Sequence, residues 1–277
     1  MGTYREPIKK EAYFTSAQRD RYRRQTILPE VGVEGQALLL KSKVLVVGAG
    51  GLGSPVLLYL AACGVGTLGI VDFDRVDASN LTRQVIHSFD NIGRRKTESA
   101  KEGIGRINPD VQVLTFDERL TAANALDIIK EFDVVLDGSD NFETKYLLND
   151  AAFFAGKPYV FGGAVRTEGQ VSVFYPKIRG PCLRCIMPLL PSRSKAPTGS
   201  EVGVLGVVPG QIGLVQAAET LKLLLNIGVP MIGRFLLYSA LEGDFTTVVV
   251  SKDPRCPLCG AQPTITSLQS QYVQSGV

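Results

Sequence analysis

The stretch VLVVGAGGLGSP, residues 44–55, decides the fold that the sequence predicts. It starts as a short apolar run typical of a buried strand, passes through a glycine-rich turn and continues into SPVLLYLAACG (54–64), a helix stopped by Gly64. A second apolar run, TLGIVDFD (67–74), completes a βαβ unit. The stretch therefore predicts a parallel sheet whose first turn can receive a phosphate group, because the start of the helix offers free N–H groups there.

The same alternation of strand and helix continues along the chain. Apolar runs and helical periodicity predict strands at 111–116, 133–140 and 158–165, and helices at 97–108, 126–132 and 144–156. From Gly169 the pattern changes, and the stretches 170–176 and 245–250 alternate as antiparallel strands do. We therefore predict an α/β fold with a Rossmann-like, doubly wound, mainly parallel sheet that is continued by antiparallel strands.

The chain shows neither an internal repeat nor an interdomain linker. We expect one domain over residues 18–261, preceded by a flexible polar arm (1–17) and followed by a disordered polar tail (262–277). The segment 188–203 is rich in Pro, Ser and Gly and predicts a mobile loop.

The composition is that of an ordinary soluble enzyme, with 45% hydrophobic and 21% charged residues in a chain of 277. The net charge of +3 comes without a cluster of Lys, Arg and aromatic residues, which argues against a nucleic-acid partner. The N-terminus has no apolar run. The apolar stretch 204–227 carries polar residues, and the spacing of the rest fits a buried amphipathic helix better than a membrane span, so we expect no membrane segment. We expect a cytoplasmic protein whose five cysteines are thiols or metal ligands.

The glycine turn carries a nucleotide-binding fingerprint. Gly48, Gly50 and Gly53 have the G-x-G-x-x-G spacing, and Asp72 follows at the end of the second predicted strand, where a carboxylate can hold ribose hydroxyls. The fingerprint does not choose the nucleotide, and an NAD(P)-dependent oxidoreductase is its commonest use. The only histidine, His87, lies in a polar segment where we expect a structural or surface role, so no acid/base for hydride transfer is evident.

The loops that follow the strands favour a longer chain of phosphates. DFDRVDASNLTRQ (72–84) carries Arg83 and Gln84, and GRRKTESA (93–100) carries Lys96 just before a helix. Ligands of this architecture bind at the carboxyl ends of the strands. Arg83 and Lys96 supply more positive charge there than a shielded pyrophosphate bridge needs, and they could neutralise a chain of phosphates beyond the glycine turn.

The next strand ends in LDGSDNFETK (136–145), which is rich in oxygen ligands. Asp137, Asp140 and Asn141 are positioned to hold Mg²⁺, a cation that prefers oxygen donors. The competing hypothesis is that these residues form caps and turns, because Asp and Asn are the usual residues there.

These motifs together resemble the MoeB/ThiF enzymes, bacterial relatives of the ubiquitin-activating enzymes. The resemblance extends over about residues 18–260, from RYRRQTILPEVGVEGQ through GGAVRTEGQVSVF to two CxxC pairs. It implies a homodimer that binds ATP and Mg²⁺ and adenylates the C-terminal Gly-Gly carboxylate of a small ubiquitin-like sulfur carrier. By resemblance, the nucleotide is held by Gly51 in the turn, Asp72 at the ribose, Asn80, Arg83 and Lys96 along the phosphates, and Asp140 with Asn141 near the metal.

The chemistry that the resemblance implies fits these residue types. A terminal carboxylate is already an anion, so its attack on the α-phosphate needs no general base. It does need cations to stabilise the charge that grows on the leaving pyrophosphate, and Lys96, Arg83 and Mg²⁺ are expected to supply them. The resemblance adds Arg24, at a position that reaches into the neighbouring subunit's site in relatives.

Four of the five cysteines form two CxxC pairs, Cys182 with Cys185 and Cys256 with Cys259. Four thiolates suit a closed tetrahedral zinc site that joins two distant segments, and the resemblance also implies zinc there. A redox pair is the alternative, but both pairs lie in loops next to proline, unlike the helix-borne redox CxxC. We expect Cys63, the fifth cysteine, to be a packing residue.

In many members of the resembled family a cysteine lies in the crossover loop, where this chain has Gly199 or Ser200. We therefore expect the product to be an acyl-adenylate handed to a separate sulfur donor, a cysteine desulfurase or a sulfurtransferase. An NAD(P)-dependent oxidoreductase and a non-catalytic nucleotide-sensing scaffold remain alternative hypotheses. The carrier also stays open among the molybdopterin, thiamine and tRNA-thiolation types, with the molybdopterin type favoured because no sulfurtransferase domain is fused to the chain.

Overall fold

The computed structural model describes residues 14–178, 180–191 and 199–268. Residues 1–13 of the expected arm, 192–198 of the expected loop and 269–277 of the expected tail lie outside the described residues. Leu268, a described residue of the expected tail, packs against one of the hydrophobic core clusters.

The described helices and strands alternate through most of the chain. The helices are α1 Ser16–Thr26, α2 Gly32–Leu39, α3 Gly53–Ala62, α4 Lys96–Ile107, α5 Ala125–Ile129, α6 Phe142–Ala155, α7 Leu183–Ile186, α8 Gly199–Val202 and α9 Val207–Leu225. The strands are β1 Lys43–Val47, β2 Thr67–Val71, β3 Gln112–Phe116, β4 Val134–Asp137, β5 Tyr159–Val165, β6 Glu168–Phe174, β7 Arg234–Ser239 and β8 Asp244–Val249.

The described strands form one sheet in the order β3-β2-β1-β4-β5-β6-β7-β8. Strands β1 to β5 pair in parallel, whereas β6, β7 and β8 pair in antiparallel fashion. This confirms the predicted Rossmann-like sheet with an antiparallel continuation. Because β1 pairs with β2 on one side and β4 on the other, the strand order reverses between β1 and β4, which is where ligands bind in such sheets.

The parallel strands are buried because helices cover both faces of the sheet. Along β1, Leu45 and Val47 point into the core on the side of α5 and α6, and Val44 and Val46 point into the core shared with α3 and α4. All five residues of β2 are buried, as expected for a central parallel strand. The helical coverage fixes the carboxyl ends of the strands, from which the cleft described below is built.

In the C-terminal half, one strand was missed and one helix was predicted. The strand β7 was missed, although it pairs with β6 and β8. The apolar stretch 204–227 forms α9 over Val207–Leu225, as predicted, with Gln216 and Glu219 buried. Within the described ranges, no helix combines the length and the apolarity needed to cross a membrane.

Candidate functional site

A cleft opens at the point where the strand order reverses. Its empty space measures about 990 Å³ including the open mouth, which suits a ligand of nucleotide size. The ends of β1, β2 and β4 form its floor, and the start of α4 and the loop before α6 contribute to its walls. The structure thus brings the glycine turn and the loops 72–84, 93–100 and 136–145 together around one cleft.

The glycine turn after β1 leaves no space for a side chain at two of its glycines, Gly48 and Gly53. Gly48 has a φ of +98°, and a Cβ atom there would lie 2.6 Å from the carbonyl oxygen of Gly138. A Cβ atom on Gly53 would lie 1.9 Å from the carbonyl oxygen of Gly48. Gly53 therefore allows α3 to start directly against the turn, and Gly50 and Gly51 are left lining the cleft.

Asp72 lies at the end of β2 on the cleft wall and is buried. Its Oδ2 accepts a hydrogen bond from the Ala49 N–H at 2.8 Å, and its Oδ1 accepts one from the Asp74 N–H at 2.9 Å. Burial raises the pKa of this carboxyl, while the Lys96 ammonium and the two N–H donors oppose that rise. Asp72 thus joins the second strand to the glycine turn.

Lys96 is buried at the first residue of α4 and lines the cleft. Its Nζ lies 3.1 Å from Oδ2 of Asp74, whose side chain is half exposed. Arg83 also lines the cleft, and its guanidinium donates to the carbonyl oxygen of Ser79 at 3.2 Å. Both cations that were predicted to bind phosphates therefore line the cleft, and each has an internal partner.

A third cation, Arg119, was not predicted and lies over the ring of Phe73 at 3.9 Å from its centroid. Both residues line the cleft. The cleft wall also carries carboxylates, so its charge is mixed: among the described residues, the charged lining consists of Arg83, Lys96, Arg119, Asp72, Asp74, Glu118 and Asp140. The cleft is therefore positive only in places, and a polyanionic ligand would bind beside Lys96 and Arg83.

The three residues expected near the metal, at the end of β4 and in the loop after it, have different surroundings. Asp140 is exposed in the cleft, and within the described part of the chain its carboxylate has no recorded hydrogen bond or ion pair. Asn141 caps α6, since its Oδ1 accepts from the Thr144 N–H at 2.9 Å. Asp137 is fully buried and its oxygens are occupied by protein donors. The expectation that Asp137 helps to hold Mg²⁺ is therefore corrected, because the fold uses this carboxylate internally.

The internal partner of Asp137 is Lys145, a buried lysine of α6 that the sequence did not single out. Its Nζ lies 2.9 Å from Oδ2 of Asp137, and it also donates to the carbonyl oxygens of Ser139 at 2.9 Å and Gly162 at 2.6 Å. The hydroxyl of Tyr159 donates to the same Asp137 oxygen at 2.9 Å. The ammonium group thus joins the loop, which carries Asp140, to the adjacent strand β5.

Two predicted residues lie away from the cleft lining. Arg24 is exposed on α1, outside the lining of this chain's cleft. Asn80 forms a reciprocal cap with Asp77, in which its Oδ1 accepts from the Asp77 N–H at 3.2 Å. Asn80 is therefore held near the cleft by its helix turn without lining it. The remaining predicted residue, Gln84, is buried in the wall, and its Oε1 has no hydrogen-bond partner among the described residues.

The four paired cysteines meet in one cluster away from the cleft. The Sγ atoms of Cys182 and Cys256 are 3.5 Å apart, those of Cys185 and Cys259 are 3.4 Å apart, and all four lie within 4.8 Å of one another. Tetrahedral zinc with Zn–S bonds of about 2.3 Å places its sulfurs about 3.8 Å apart, whereas a disulfide holds them at about 2 Å. The cluster fits a closed zinc site.

The cysteine cluster is fastened to the same helix that follows the cleft loop. In the second half of α6, Asn149 accepts a hydrogen bond from the Leu183 N–H at 2.8 Å, and Asp150 pairs with Arg184 at 2.8 Å. Leu183 and Arg184 lie between the first two cysteines. The segment between the first two cysteines therefore holds the C-terminal half of α6 in place.

Comparisons with known proteins agree with this geometry. The model of the ThiF family matches residues 22–258. A sulfur carrier protein adenylyltransferase of Thermus thermophilus is 49% identical over 255 residues, which are 91% of this chain and 94% of that protein. The probable adenylyltransferase/sulfurtransferase MoeZ of Mycobacterium tuberculosis is 50% identical over 240 residues, which are 86% of this chain and 61% of MoeZ.

A crystal structure of E. coli MccB with ATP has a TM-score of 0.72 at 24% identity, over 81% of this chain and 68% of that one. At this identity the likeness concerns the fold alone. The resemblance to MoeB/ThiF enzymes is confirmed by the family match and by the relatives. Because the match extends over most of the chain and the Thermus relative has nearly the same extent, the chain belongs to the ThiF family.

Proposed function

We propose that the protein is an ATP-dependent adenylyltransferase that activates the C-terminal Gly-Gly carboxylate of a ubiquitin-like sulfur carrier. The carboxylate attacks the α-phosphorus of ATP, an acyl-adenylate forms, and pyrophosphate leaves. The observation that carries most weight is the 49% identity, over nearly the full extent of both chains, to a sulfur carrier protein adenylyltransferase. The relatives are named adenylyltransferases, so the oxidoreductase alternative is not supported.

The cleft supports this chemistry through its N–H groups and its cations. The glycine turn and the start of α3 offer backbone donors to phosphate oxygens, and Lys96 and Arg83 lie on the same cleft wall. We assign them to the phosphates, where they balance the charge on the leaving pyrophosphate. We assign Asp72, at the end of β2, to the ribose hydroxyls. We also assign Gln84, whose side chain is buried in the cleft wall, to nucleotide binding.

We propose Mg²⁺ near Asp140, whose exposed carboxylate is a suitable oxygen ligand. When bound, Mg²⁺ would neutralise phosphate charge and orient the triphosphate. At the Cys182, Cys185, Cys256 and Cys259 cluster we propose structural Zn²⁺, because four buried or half-buried thiolates leave no open coordination position for catalysis.

The proposed assembly is a homodimer in which Arg24 of one subunit contributes to the site of the other. This is supported by the exposure of Arg24 on α1, where it is available to a second copy. The proposed partners are a carrier ending in Gly-Gly and a separate sulfur donor. We place the reaction in the cytoplasm, where a reducing compartment keeps four clustered thiols available for metal.

Isotope exchange tests the proposed reaction. The protein is incubated with ATP, Mg²⁺, radiolabelled pyrophosphate and a Gly-Gly carrier, and label is measured in ATP. We expect exchange that depends on the carrier and disappears when the last glycine of the carrier is removed. Absence of exchange with carriers of the molybdopterin, thiamine and tRNA-thiolation types would overturn the proposal, and the carrier that works best identifies the pathway.

A further inference from the structure

The chain's only histidine, His87, is buried between the glycine turn and α4, with 7% of its surface exposed. Its Nε2 lies 2.9 Å from the carbonyl oxygen of Ala49, and its Nδ1 lies 2.8 Å from Oγ of Ser99. Ala49 stands in the middle of the glycine turn, and Ser99 lies in the first turn of α4. The imidazole therefore connects two walls of the nucleotide cleft.

The contacts fix the tautomer of the ring. A carbonyl oxygen can only accept a hydrogen bond, so Nε2 must carry the proton that faces Ala49. In a neutral imidazole Nδ1 is then an acceptor. The single hydrogen of the Ser99 hydroxyl can reach either Nδ1 or the Oδ1 of Asn91, which lies 2.9 Å away, and in this tautomer it is donated to Nδ1. Burial, helped by the nearby Lys96 ammonium and opposed by the hydrogen bond to Ala49, lowers the pKa of His87 to about 4, so the ring is neutral at physiological pH.

The bond to Ala49 has a geometric consequence for the next residue. A trans peptide places the carbonyl of Ala49 and the N–H of Gly50 on opposite sides of the bond. Because the carbonyl points to the buried His87, the Gly50 N–H points the other way, and Gly50 lines the cleft. Within the described residues, this N–H has no recorded protein acceptor.

Hydrogen bonds hold Ala49 through both of the peptide groups that flank it. The N–H of Ala49 is held by Asp72 at 2.8 Å, and its carbonyl is held by His87 at 2.9 Å. Without the His87 donor, the peptide between Ala49 and Gly50 would lose the hydrogen bond to its carbonyl, because Asp72 holds the preceding peptide and the Ser54 N–H holds the carbonyl of the following one at 2.9 Å. It would then be able to rotate between its two held neighbours. A rotated peptide would present a carbonyl, which repels phosphate, in place of an N–H.

We propose that His87 is a positioning residue: as its neutral Nε2–H tautomer, it aims the Gly50 N–H at a phosphate and keeps the glycine turn in register with the helix that begins at Lys96. This proposal depends on the proposed function in one respect, namely that the ligand is a triphosphate. His87 itself contacts no reacting atom and takes no proton during the reaction.

The first test uses the untagged wild-type protein, because a single histidine gives a single pair of imidazole nitrogen signals. With histidine labelled by nitrogen-15, we expect a protonated Nε2, an unprotonated Nδ1 and no titration between pH 5.5 and pH 8. This should hold with and without an ATP analogue and Mg²⁺. A protonated Nδ1, or titration near the ordinary pKa of about 6.5, would overturn the proposal.

The second test compares His87→Gln with His87→Asn. The amide nitrogen of Gln can take the place of Nε2 and donate to Ala49, whereas the shorter Asn reaches only the Nδ1 side. We expect His87→Asn to weaken binding of a non-hydrolysable ATP analogue by about tenfold or more, and His87→Gln to bind within about threefold of wild type. Thermal unfolding of both variants serves as the control for folding.

Calorimetry of analogue binding needs no carrier, so the outcome is independent of whether the carrier is correctly assigned. Equal affinity in both variants, whether retained or lost, would overturn the role assigned to the Ala49 contact. If His87→Asn does not fold, the tautomer measured in the wild type decides. A failure of carrier-dependent exchange with normal analogue binding would instead count against the proposed function.

Discussion

Replacing Lys145 by Met should destabilise the protein more than the loss of any exposed charge. The side chains of Lys145 and Asp137 are 6% and 0% exposed. Met has a similar length but cannot donate a hydrogen bond. The substitution therefore leaves a buried carboxylate without its counter-charge, and the carbonyl oxygens of Ser139 and Gly162 without this donor.

Removing one partner of a buried ion pair costs about 3–5 kcal/mol. Tyr159 and Ser139 still donate to the carboxylate, so the lower end of this range is expected. Such a loss is a large share of a total stability of about 5–15 kcal/mol. For a chain of this size it corresponds to a fall in Tm of roughly 10 °C.

The assay is urea unfolding followed by circular dichroism in zinc-containing buffer. The matched control is Lys130→Met, which breaks an exposed pair with Asp127 and should cost less than about 1 kcal/mol. The reasoning is refuted if the two variants lose the same free energy of unfolding. Pyrophosphate exchange by folded Lys145→Met should also fall, since the loop that carries Asp140 loses its fastening.

Four further predictions concern the phosphates, the glycine turn, the metal and the histidine. Lys96→Ala should abolish pyrophosphate exchange while the protein still folds, whereas Lys101→Ala, on the exposed side of α4, should retain activity. Loss of exchange in both variants would contradict a specific phosphate contact at Lys96. Gly53→Ala should prevent nucleotide binding measured by calorimetry, because its Cβ atom would lie 1.9 Å from a carbonyl oxygen. Cys256→Ser should lower the zinc content measured by atomic absorption and lower Tm; a full zinc load with unchanged Tm would exclude the thiolate cluster as the site. His87 has a folded pKa of about 4, below its unfolded value, so the unfolded state binds more protons as pH falls and stability is lost. Between pH 7 and pH 5 the wild type should lose about 2 kcal/mol more than His87→Gln in urea unfolding, and equal losses would contradict this sign.

The parts of the fold set by local patterns could be predicted from the sequence. The βαβ unit around the glycine turn depends on residues close together in the chain, and α9 depends on its own periodicity. Strand β7 was missed although it forms a hairpin with β8 across residues 240–243. Its pairing with β6 joins segments that lie far apart in the sequence. Tertiary pairing of this kind leaves little local signal.

Within the site, residue type was predictable but burial was not. Asp137 and Asp140 stand three positions apart, yet one ends a buried strand and the other faces the cleft. A lysine on a helix is usually exposed, so nothing local marked Lys145 as the partner of Asp137. His87 was expected to have a structural or surface role, and the structure gives it a buried one through contacts with Ala49 and Ser99 that only the fold creates.

The central claim is that a carrier's carboxylate attacks the innermost phosphorus of ATP. It is tested most directly by incubating protein and carrier with ATP labelled at either the α- or the γ-phosphorus and measuring label on the carrier. The account predicts that α-label appears on the carrier as a hydroxylamine-sensitive acyl-adenylate and that γ-label leaves with pyrophosphate. Carrier labelled from the γ position, or carrier that takes no label from either, would contradict it.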